Sequence, residues 1–275
     1  MPMISRLIVL VSLMVSFFLG VESARALDLV NIVLAPLPPF IIEGGVLGTP
    51  PGIVTEILTE AYRREGKQPY YAYMPAARAE HTVRNGRALA TVVSGDPKDQ
   101  SGDFVLSNSL LRTPIGAFVA SSYSGPPLTS FKAIADRQAA IQRAGEGRLR
   151  VISIHGDQVM DELREAGVEV EEVPGVESAL ALVGRAEGRV VLVTFSIAAV
   201  YMTKTSGLSV SQLDTFTIGY SDFYLAISRS RPGAVELANR FNRVLETLRL
   251  DGTVRSILTR YGITQATPDL EPVTN

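Results

Sequence analysis

Hydrophobic positions in the first half of the chain follow two alternating periods. Short runs rich in β-branched and aromatic residues predict strands at residues 28–35, 69–73 and 89–94. Longer segments with apolar residues three and four positions apart predict helices at residues 52–65 and 76–85. Strands that alternate with helices are typical of parallel sheets covered by helices on both faces. This part of the chain therefore predicts one compact α/β lobe.

A second series with the same alternation follows an extended segment at residues 115–120. It predicts strands at residues 151–154, 168–173 and 190–194. It also predicts helices at residues 157–165 and 175–186. We expect a second lobe of the same design.

The last part of the chain predicts two consecutive helices. The first begins near Pro232 and carries a continuous apolar stripe that ends at Leu248. Asp251-Gly252 interrupts the pattern, and a shorter amphipathic helix then runs to Gly262.

The amino terminus has the layout of a secretory signal peptide. Arg6 precedes an uncharged, mostly apolar run at residues 7–19, and the small-residue pattern Ala24-Arg25-Ala26 follows. An uncleaved membrane anchor is the alternative, but the run is shorter than the roughly 20 residues needed to cross a bilayer. We expect a signal peptide at residues 1–26 and cleavage after Ala26.

The amino-acid composition limits which cellular compartments and which classes of partner fit this chain. There is no cysteine, which excludes disulfides, thiolate metal sites and a lipid-modified cysteine at a mature amino terminus. An exported protein without that lipid fits the periplasm of a Gram-negative bacterium. The balance of 26 basic and 28 acidic residues gives no electrostatic footprint for nucleic acid.

Motifs of common catalytic centres are missing from the sequence. There is no P-loop, no glycine fingerprint of a dinucleotide site, no His-Glu-x-x-His and no Gly-x-Ser-x-Gly. The two histidines, His81 and His155, are far apart in the chain. We therefore expect no metal site and no cofactor.

Three segments in fixed order point to a family. Pro38-Pro39-Phe40 is followed by Gly52, residues 74–79 read Met-Pro-Ala-Ala-Arg-Ala, and the helical tail spans residues 224–262. Together they are similar to family 3 of the extracytoplasmic solute-binding proteins, the amino-acid-import type. The resemblance covers about residues 27–262.

The resemblance implies an α/β fold with two lobes, the type II periplasmic-binding-protein fold. Each lobe would be a mostly parallel sheet flanked by helices, and two crossing strands would join the lobes near residues 113–116 and 219–222. The first lobe would comprise residues 27–115 and 223–265, the second residues 116–222, and the tail residues 266–275.

The resemblance also implies ligand contacts in the first lobe. The loop from Leu37 to Phe40 would face the cleft between the lobes, although the family often has an aromatic ring at the position of Leu37. Arg78 would point its guanidinium into the cleft, with a solvated helix charge paired to Glu80 as the alternative. Ser94 and Asp96 would supply polar contacts.

Two ligand-contact positions depart from the family pattern. The arginine that holds the α-carboxylate in amino-acid-binding relatives matches Gln100, with Lys98 as a substitute cation. The aspartate that holds the α-ammonium matches Phe195, whose ring, like that of Phe40, would contact an apolar body of the solute, and the neighbouring Thr194 is a further candidate contact. Burying a zwitterion without its counter-charges costs several kcal/mol per ion. An α-amino acid is therefore not the expected ligand.

In the second lobe, three of four successive residues open a predicted helix where the family contacts its ligand. They are His155, Asp157 and Gln158, with Gly156 between the first two. Because Asp157 would repel an anion, hydroxyl, amine or neutral polar groups suit this half better. A helix cap without ligand contact is the alternative.

The sequence thus favours a monomeric periplasmic receptor that captures a small polar or aromatic-bodied solute and delivers it to an ABC permease in the inner membrane. Two alternatives remain open. One is an enzyme on the same fold, similar to cyclohexadienyl or arogenate dehydratases, for which Asp96, Asp157 and Glu43 are the candidate acids. The other is a ligand-binding partner of a membrane sensor.

Overall fold

The structure is a computed structural model that describes residues 28–44, 50–100, 102–155, 159–186, 188–206 and 213–263. The expected signal peptide and the tail at residues 266–275 lie outside the described residues. None of the described helices is long and apolar enough to span a membrane.

The elements of the amino-terminal part follow the hydrophobic pattern closely. Its strands are β1 (Asp28–Leu34), β2 (Lys67–Tyr73), β3 (Ala90–Gly95) and β4 (Phe104–Leu106). Its helices are α1 (Ile53–Arg64), α2 (Ala76–Arg84) and the short α3 (Pro97–Gln100).

The rest of the chain contains more regular structure than the pattern predicts. Its strands are β5 (Leu111–Ala120), β6 (Arg150–Ile154), β7 (Val170–Val173), β8 (Val190–Phe195) and β9 (Leu213–Ser228). Its helices are α4 (Phe131–Ala144), α5 (Val159–Glu165), α6 (Val176–Arg185), α7 (Ser196–Ser206), α8 (Ala234–Leu250) and α9 (Thr253–Arg260). Helices α4 and α7 had no counterpart among the predicted elements.

The described strands form one nine-stranded sheet in the order β2-β1-β3-β9-β5-β8-β6-β7, with β4 also paired to β9. Strand β1 is parallel to β2 and β3, and β6 is parallel to β7 and β8. The pairs that join these two parallel groups, through β5 and β9, are antiparallel. The predicted α/β fold with two lobes joined by two crossing strands is confirmed.

The two crossing strands meet where the sequence places them. On β5 and β9, Thr113 is opposite Ser221 and Ile115 is opposite Gly219. The register shifts between Ile115 and Gly116, an irregularity that bends paired strands. The residue boundaries of the lobes themselves stay a prediction.

Helices cover both faces of each parallel group. In β8, Val191 and Val193 belong to the core cluster that includes residues of α4 and α5. Val190 and Leu192 belong to a separate cluster with residues of α6 and α7. Alternate residues of a strand point to opposite faces, so a strand buried on both faces reads as a continuous apolar run.

The carboxyl-terminal helices return to the first lobe. The Tyr261 hydroxyl accepts a hydrogen bond from the backbone N–H of Gly52 at 2.7 Å and donates one to Oε1 of Glu56 at 2.8 Å. On α8, the ring of Phe241 lies 5.6 Å from that of Tyr62 on α1. These contacts hold α8 and α9 against α1.

Candidate functional site

The carboxyl ends of the two parallel groups converge on the crossing strands. Strand β3 ends with Gly95 opposite Asp222 of β9, and β8 ends with Phe195 opposite Ile115 of β5. Because Ile115 is itself opposite Gly219, the two ends are three residues apart along β9, about 10 Å at the rise of a strand. Open α/β sheets bind ligands at the carboxyl ends of their strands, so this junction is the candidate site.

One face of the junction is an aromatic cluster. The ring centroid of Phe40 lies 5.5 Å from that of Phe195 and 4.6 Å from that of Phe223. Phe40 is 0% exposed and Phe195 is 1% exposed. Both residues were expected to contact a solute, but in this conformation their rings have no surface to offer it. Their role as ligand contacts stays a prediction that this conformation does not support.

The loop that carries Phe40 is held by backbone contacts. Its Leu37 N–H donates to the Ile41 carbonyl at 2.8 Å, and the Phe40 carbonyl accepts from the N–H of Val54 at 2.8 Å. The side chain of Leu37 is half-buried against the core. Leu37 is thus the less enclosed of the two predicted contacts in this loop.

The opposite face of the junction carries charged and polar side chains. Nε of Arg112 lies 3.8 Å from Oδ2 of Asp222, and its guanidinium lies over the ring of Tyr220, 5.1 Å from the ring centroid. Asp222 also accepts a hydrogen bond from the Ser109 hydroxyl at 2.6 Å. These residues stand on β5, on β9 and in the segment before β5.

Arg112 has unused hydrogen-bonding capacity. Its Nε is buried and has no hydrogen-bond partner among the residues that the structure describes. A buried donor without a partner costs about 1–3 kcal/mol, so such groups need an explanation. Arg112 was not among the predicted contacts, although it is the one charged residue in the strand Leu111–Ala120.

Asp96 stands close to this polar face. Burial raises the pKa of Tyr224 to about 12, the charges of Asp222 and Asp96 add to the rise, and Arg112 opposes it. Asp96 is exposed, and its carboxylate accepts the backbone N–H of Lys98 at 2.8 Å. Asp96 therefore caps the start of α3, which ends at Gln100.

Two predicted hydroxyl contacts lie inside the sheet. Ser94 is buried opposite Phe223, and Thr194 is buried opposite Gly116. Both are one residue from the end of their strands. Their burial places them beneath the junction.

Arg78 is exposed in the first turn of α2, at the carboxyl end of β2. Its expected alternative partner, Glu80, is paired with Arg84 at 2.9 Å instead. Arg78 has no ion pair among the described residues. Its contact with a solute stays a prediction.

Of the three predicted contacts in the second lobe, the structure describes His155. His155 is exposed, with Nδ1 2.6 Å from Oε2 of Glu172, and Arg164 donates to the same carboxylate at 2.9 Å. Hydrogen bonds from His155 and Arg164 lower the pKa of Glu172. This arrangement is a surface network of hydrogen bonds around the Glu172 carboxylate. Asp157 and Gln158 lie outside the described residues.

Comparisons with known proteins point to the same fold. The sequence matches no family model, and a search of curated proteins finds no significant match. Solved structures do match over most of the chain.

An amino acid ABC transporter substrate-binding protein from Streptococcus pneumoniae, bound to L-arginine, is 13% identical, with a TM-score of 0.63 over 89% of this chain and 97% of that one. The GluR0 ligand-binding core from Nostoc punctiforme, in complex with L-glutamate, is 12% identical, with a TM-score of 0.63 over 85% and 99%.

A histidine kinase sensor domain with similarity to periplasmic binding proteins is 18% identical, with a TM-score of 0.63 over 88% of this chain and 98% of that one. At such low sequence identities, structural similarity establishes the fold but not the identity of the ligand. The chain has the two-lobed fold of the periplasmic solute-binding proteins.

Proposed function

We propose that this protein is an extracytoplasmic solute receptor of family 3, which encloses a small molecule between its lobes and delivers it to an ABC permease. The observation that carries the proposal is the convergence of both carboxyl edges on one junction that holds the partly unsatisfied guanidinium of Arg112. The expected signal peptide and the solute-binding proteins among the structural neighbours support it.

The polar face favours a solute with an anionic or strongly accepting group. Arg112 supplies a planar fork of donors at the junction, and Arg78 supplies another at the edge of the first lobe. The ring of Tyr220, which is 41% exposed, offers a surface for an apolar or unsaturated body. Arg112 would thus take over the task of the arginine that is missing at Gln100.

Closure follows from contact with both lobes. A solute that touches Arg78 in the first lobe and residues near His155 in the second binds the closed state more tightly than the open one. The low dielectric of the closed cleft strengthens its polar contacts. Binding would therefore be coupled to contraction of the molecule.

The test begins with the mature protein as it is purified. Native mass spectrometry identifies any small molecule that co-purifies, and calorimetry with that compound measures its affinity. Small-angle scattering with and without it should register a smaller radius of gyration in the bound form. A protein that binds no solute in a broad thermal-shift screen, and whose scattering never contracts, would overturn the proposal.

A sensory role is the second candidate, and the histidine kinase sensor domain among the neighbours favours it. In that case the liganded protein would change the autophosphorylation of a membrane kinase and leave the ATPase of a reconstituted permease unchanged. Comparing the two activities separates signalling from transport.

An enzymatic role has weaker support. Two of its candidate acids, Asp96 and Glu43, are exposed, and Asp96 already caps α3. A general acid must reach the leaving group of an enclosed substrate. Incubation with prephenate or arogenate should therefore yield no aromatic product.

A further inference from the structure

A cavity in the second lobe lies far from the junction. It has a volume of about 520 Å³ and opens between residues 122–125, the end of α4 and the segments that precede β6 and β8. Volumes of this size are typical of small-molecule sites. Because Leu149 and Arg189 precede their strands, the cavity lies at the amino ends of β6 and β8. The six residues of β8 separate it from the junction by about 20 Å.

The side of the cavity formed by Tyr123 depends on two glycines that pack closely against this residue. A Cβ on Gly188 would lie 2.8 Å from Cα of Tyr123, and Gly188 has a φ of +78°. A Cβ on Gly125 would lie 2.3 Å from the Tyr123 hydroxyl, which donates to the Pro126 carbonyl at 3.0 Å. The ring of Tyr123 is therefore fixed in place and forms a defined side of the cavity.

The lining is strongly basic. Arg137, Arg148 and Arg189 line the cavity against the single acid Glu146. Arg148 is already engaged, since its guanidinium lies 2.8 Å from Glu169. Arg137 and Arg189 have no ion pair among the described residues.

One of these arginines has an orphaned donor. Nε of Arg137 is buried and has no hydrogen-bond partner in the described part of the chain. The charge of Arg137 and a hydrogen bond from its side chain oppose the rise that burial causes in the pKa of Tyr123, so the guanidinium lies beside that side chain and its Nε remains without an acceptor among the residues described. A buried donor without a partner is rare, and an anion in the cavity would supply the missing acceptor.

We propose that this cavity binds a small organic anion through carboxylate or phosphate oxygens, with Arg137 and Arg189 as its charged ligands. Guanidinium groups match the geometry of both oxyanions and bind them through charge-assisted hydrogen bonds. The hydroxyls of Ser122 and Ser124 line the same space and supply further donors. The site is separate from the solute site at the junction.

The test measures binding of citrate and of inorganic phosphate by calorimetry at constant ionic strength. Arg137→Gln and Arg189→Gln should each weaken binding by about tenfold or more, since each removes a charge-assisted contact. Arg143→Gln is the matched control. Arg143 stands on the same helix, is exposed and donates to the carbonyl of Ala139 in its own helix, so its loss should leave anion binding unchanged.

Far-UV circular dichroism and the melting temperature without anion establish that each variant is folded. Absence of binding to the unaltered protein, or an equal loss in Arg143→Gln and Arg189→Gln, would overturn the proposal. Arg112→Gln separates the two sites, because it should impair the junction and leave this cavity intact. Anion binding that disappears in Arg112→Gln would assign the anion to the junction and remove the second site.

Discussion

The ring of Phe40 lies edge-on to the ring of Phe195, with 5.5 Å between their centroids and 86° between their planes. Phe40 belongs to the loop after β1, and Phe195 ends β8 in the other parallel group. Edge-to-face pairs of this kind add about 0.5–1.5 kcal/mol beyond the burial of their surface. The contact therefore joins the two lobes through apolar packing.

Phe195→Ala should lower the free energy of unfolding by about 3–5 kcal/mol, because it removes a fully buried ring. Urea denaturation followed by circular dichroism measures the change. Leu250→Ala is the control, since Leu250 is 80% exposed and its loss should change stability by less than about 0.5 kcal/mol. A loss below about 1 kcal/mol for Phe195→Ala would contradict the packing role. It would instead favour the prediction that Phe195 contacts the solute.

Gly52→Ala should destabilise the protein more than Gly86→Ala. Both glycines have positive φ, +104° at Gly52 and +69° at Gly86, where an L-residue is strained, and Gly52, with a ψ of 149°, adopts a conformation that is essentially restricted to glycine. At Gly52 the new Cβ would also lie 2.5 Å from the Phe40 carbonyl oxygen, whereas at Gly86 nothing lies within 4 Å. The difference in urea midpoint between the two variants measures the steric contact together with the greater backbone strain at Gly52. Equal midpoints would show that the loop around Phe40 accommodates the added methyl group without a loss of stability.

Arg112→Gln should weaken binding of the co-purifying solute by tenfold or more, because one charge-assisted contact is worth about 1.5–3 kcal/mol. Arg112→Lys keeps the charge but loses the planar fork, so its affinity should fall between that of the wild type and that of Arg112→Gln. Arg255→Gln removes an exposed arginine on α9 and serves as the control. Calorimetry in which all four proteins bind alike would exclude Arg112 from the site.

Glu60→Gln should lower stability at pH 7 and have a much smaller effect near pH 2. Hydrogen bonds from Arg63, then from Arg64, lower the pKa of Glu60 from 4.5 to about 2, although burial opposes them. A carboxylate with a depressed pKa stabilises the fold above its unfolded pKa, and this contribution is lost as the pH falls from about 4.5 towards 2. The pairs are near solvent, so we expect less than about 1 kcal/mol.

Urea denaturation of both proteins at pH 7, 4 and 2.5 measures this dependence. Asp214→Asn is the comparison, because Asp214 is exposed and has no ion pair among the described residues. A difference between wild type and Glu60→Gln that is as large at pH 2.5 as at pH 7 would mean that packing, and not charge, causes it.

Strong periodicity made most elements predictable. The helix expected at residues 52–65 is Ile53–Arg64, and the strand expected at residues 190–194 is Val190–Phe195. Both bury apolar residues at the spacing of their secondary structure, so the local pattern and the tertiary environment agree.

Helix α4 escaped prediction because Ile134 is its one fully buried residue. Its signals are at its ends. The Ser130 hydroxyl accepts the N–H of Ala133 at 3.0 Å, and Gly145 adopts the left-handed conformation. Attention to these caps would have found the helix, and with it Arg137.

The solute site was harder to predict than the fold. Phe40 and Phe195 stand at the right ends of their strands, but whether a ring faces a cleft or a core depends on residues far away in the chain. Phe223 fills the space between them. Arg112 gave a detectable signal as a lone charge in an apolar strand, yet its position opposite Asp222 follows from strand register.

The amino-acid sequence by itself determined most of the secondary-structure elements and their grouping into two α/β series, because these depend on the spacing of apolar residues within short segments. Tertiary structure alone decided which side chains meet at the junction and in the second-lobe cavity. At the junction those contacts join residues more than a hundred positions apart, such as Phe40 and Phe195 or Ser109 and Asp222. Local pattern carries no information about such pairs, since strand register and packing between lobes bring them together.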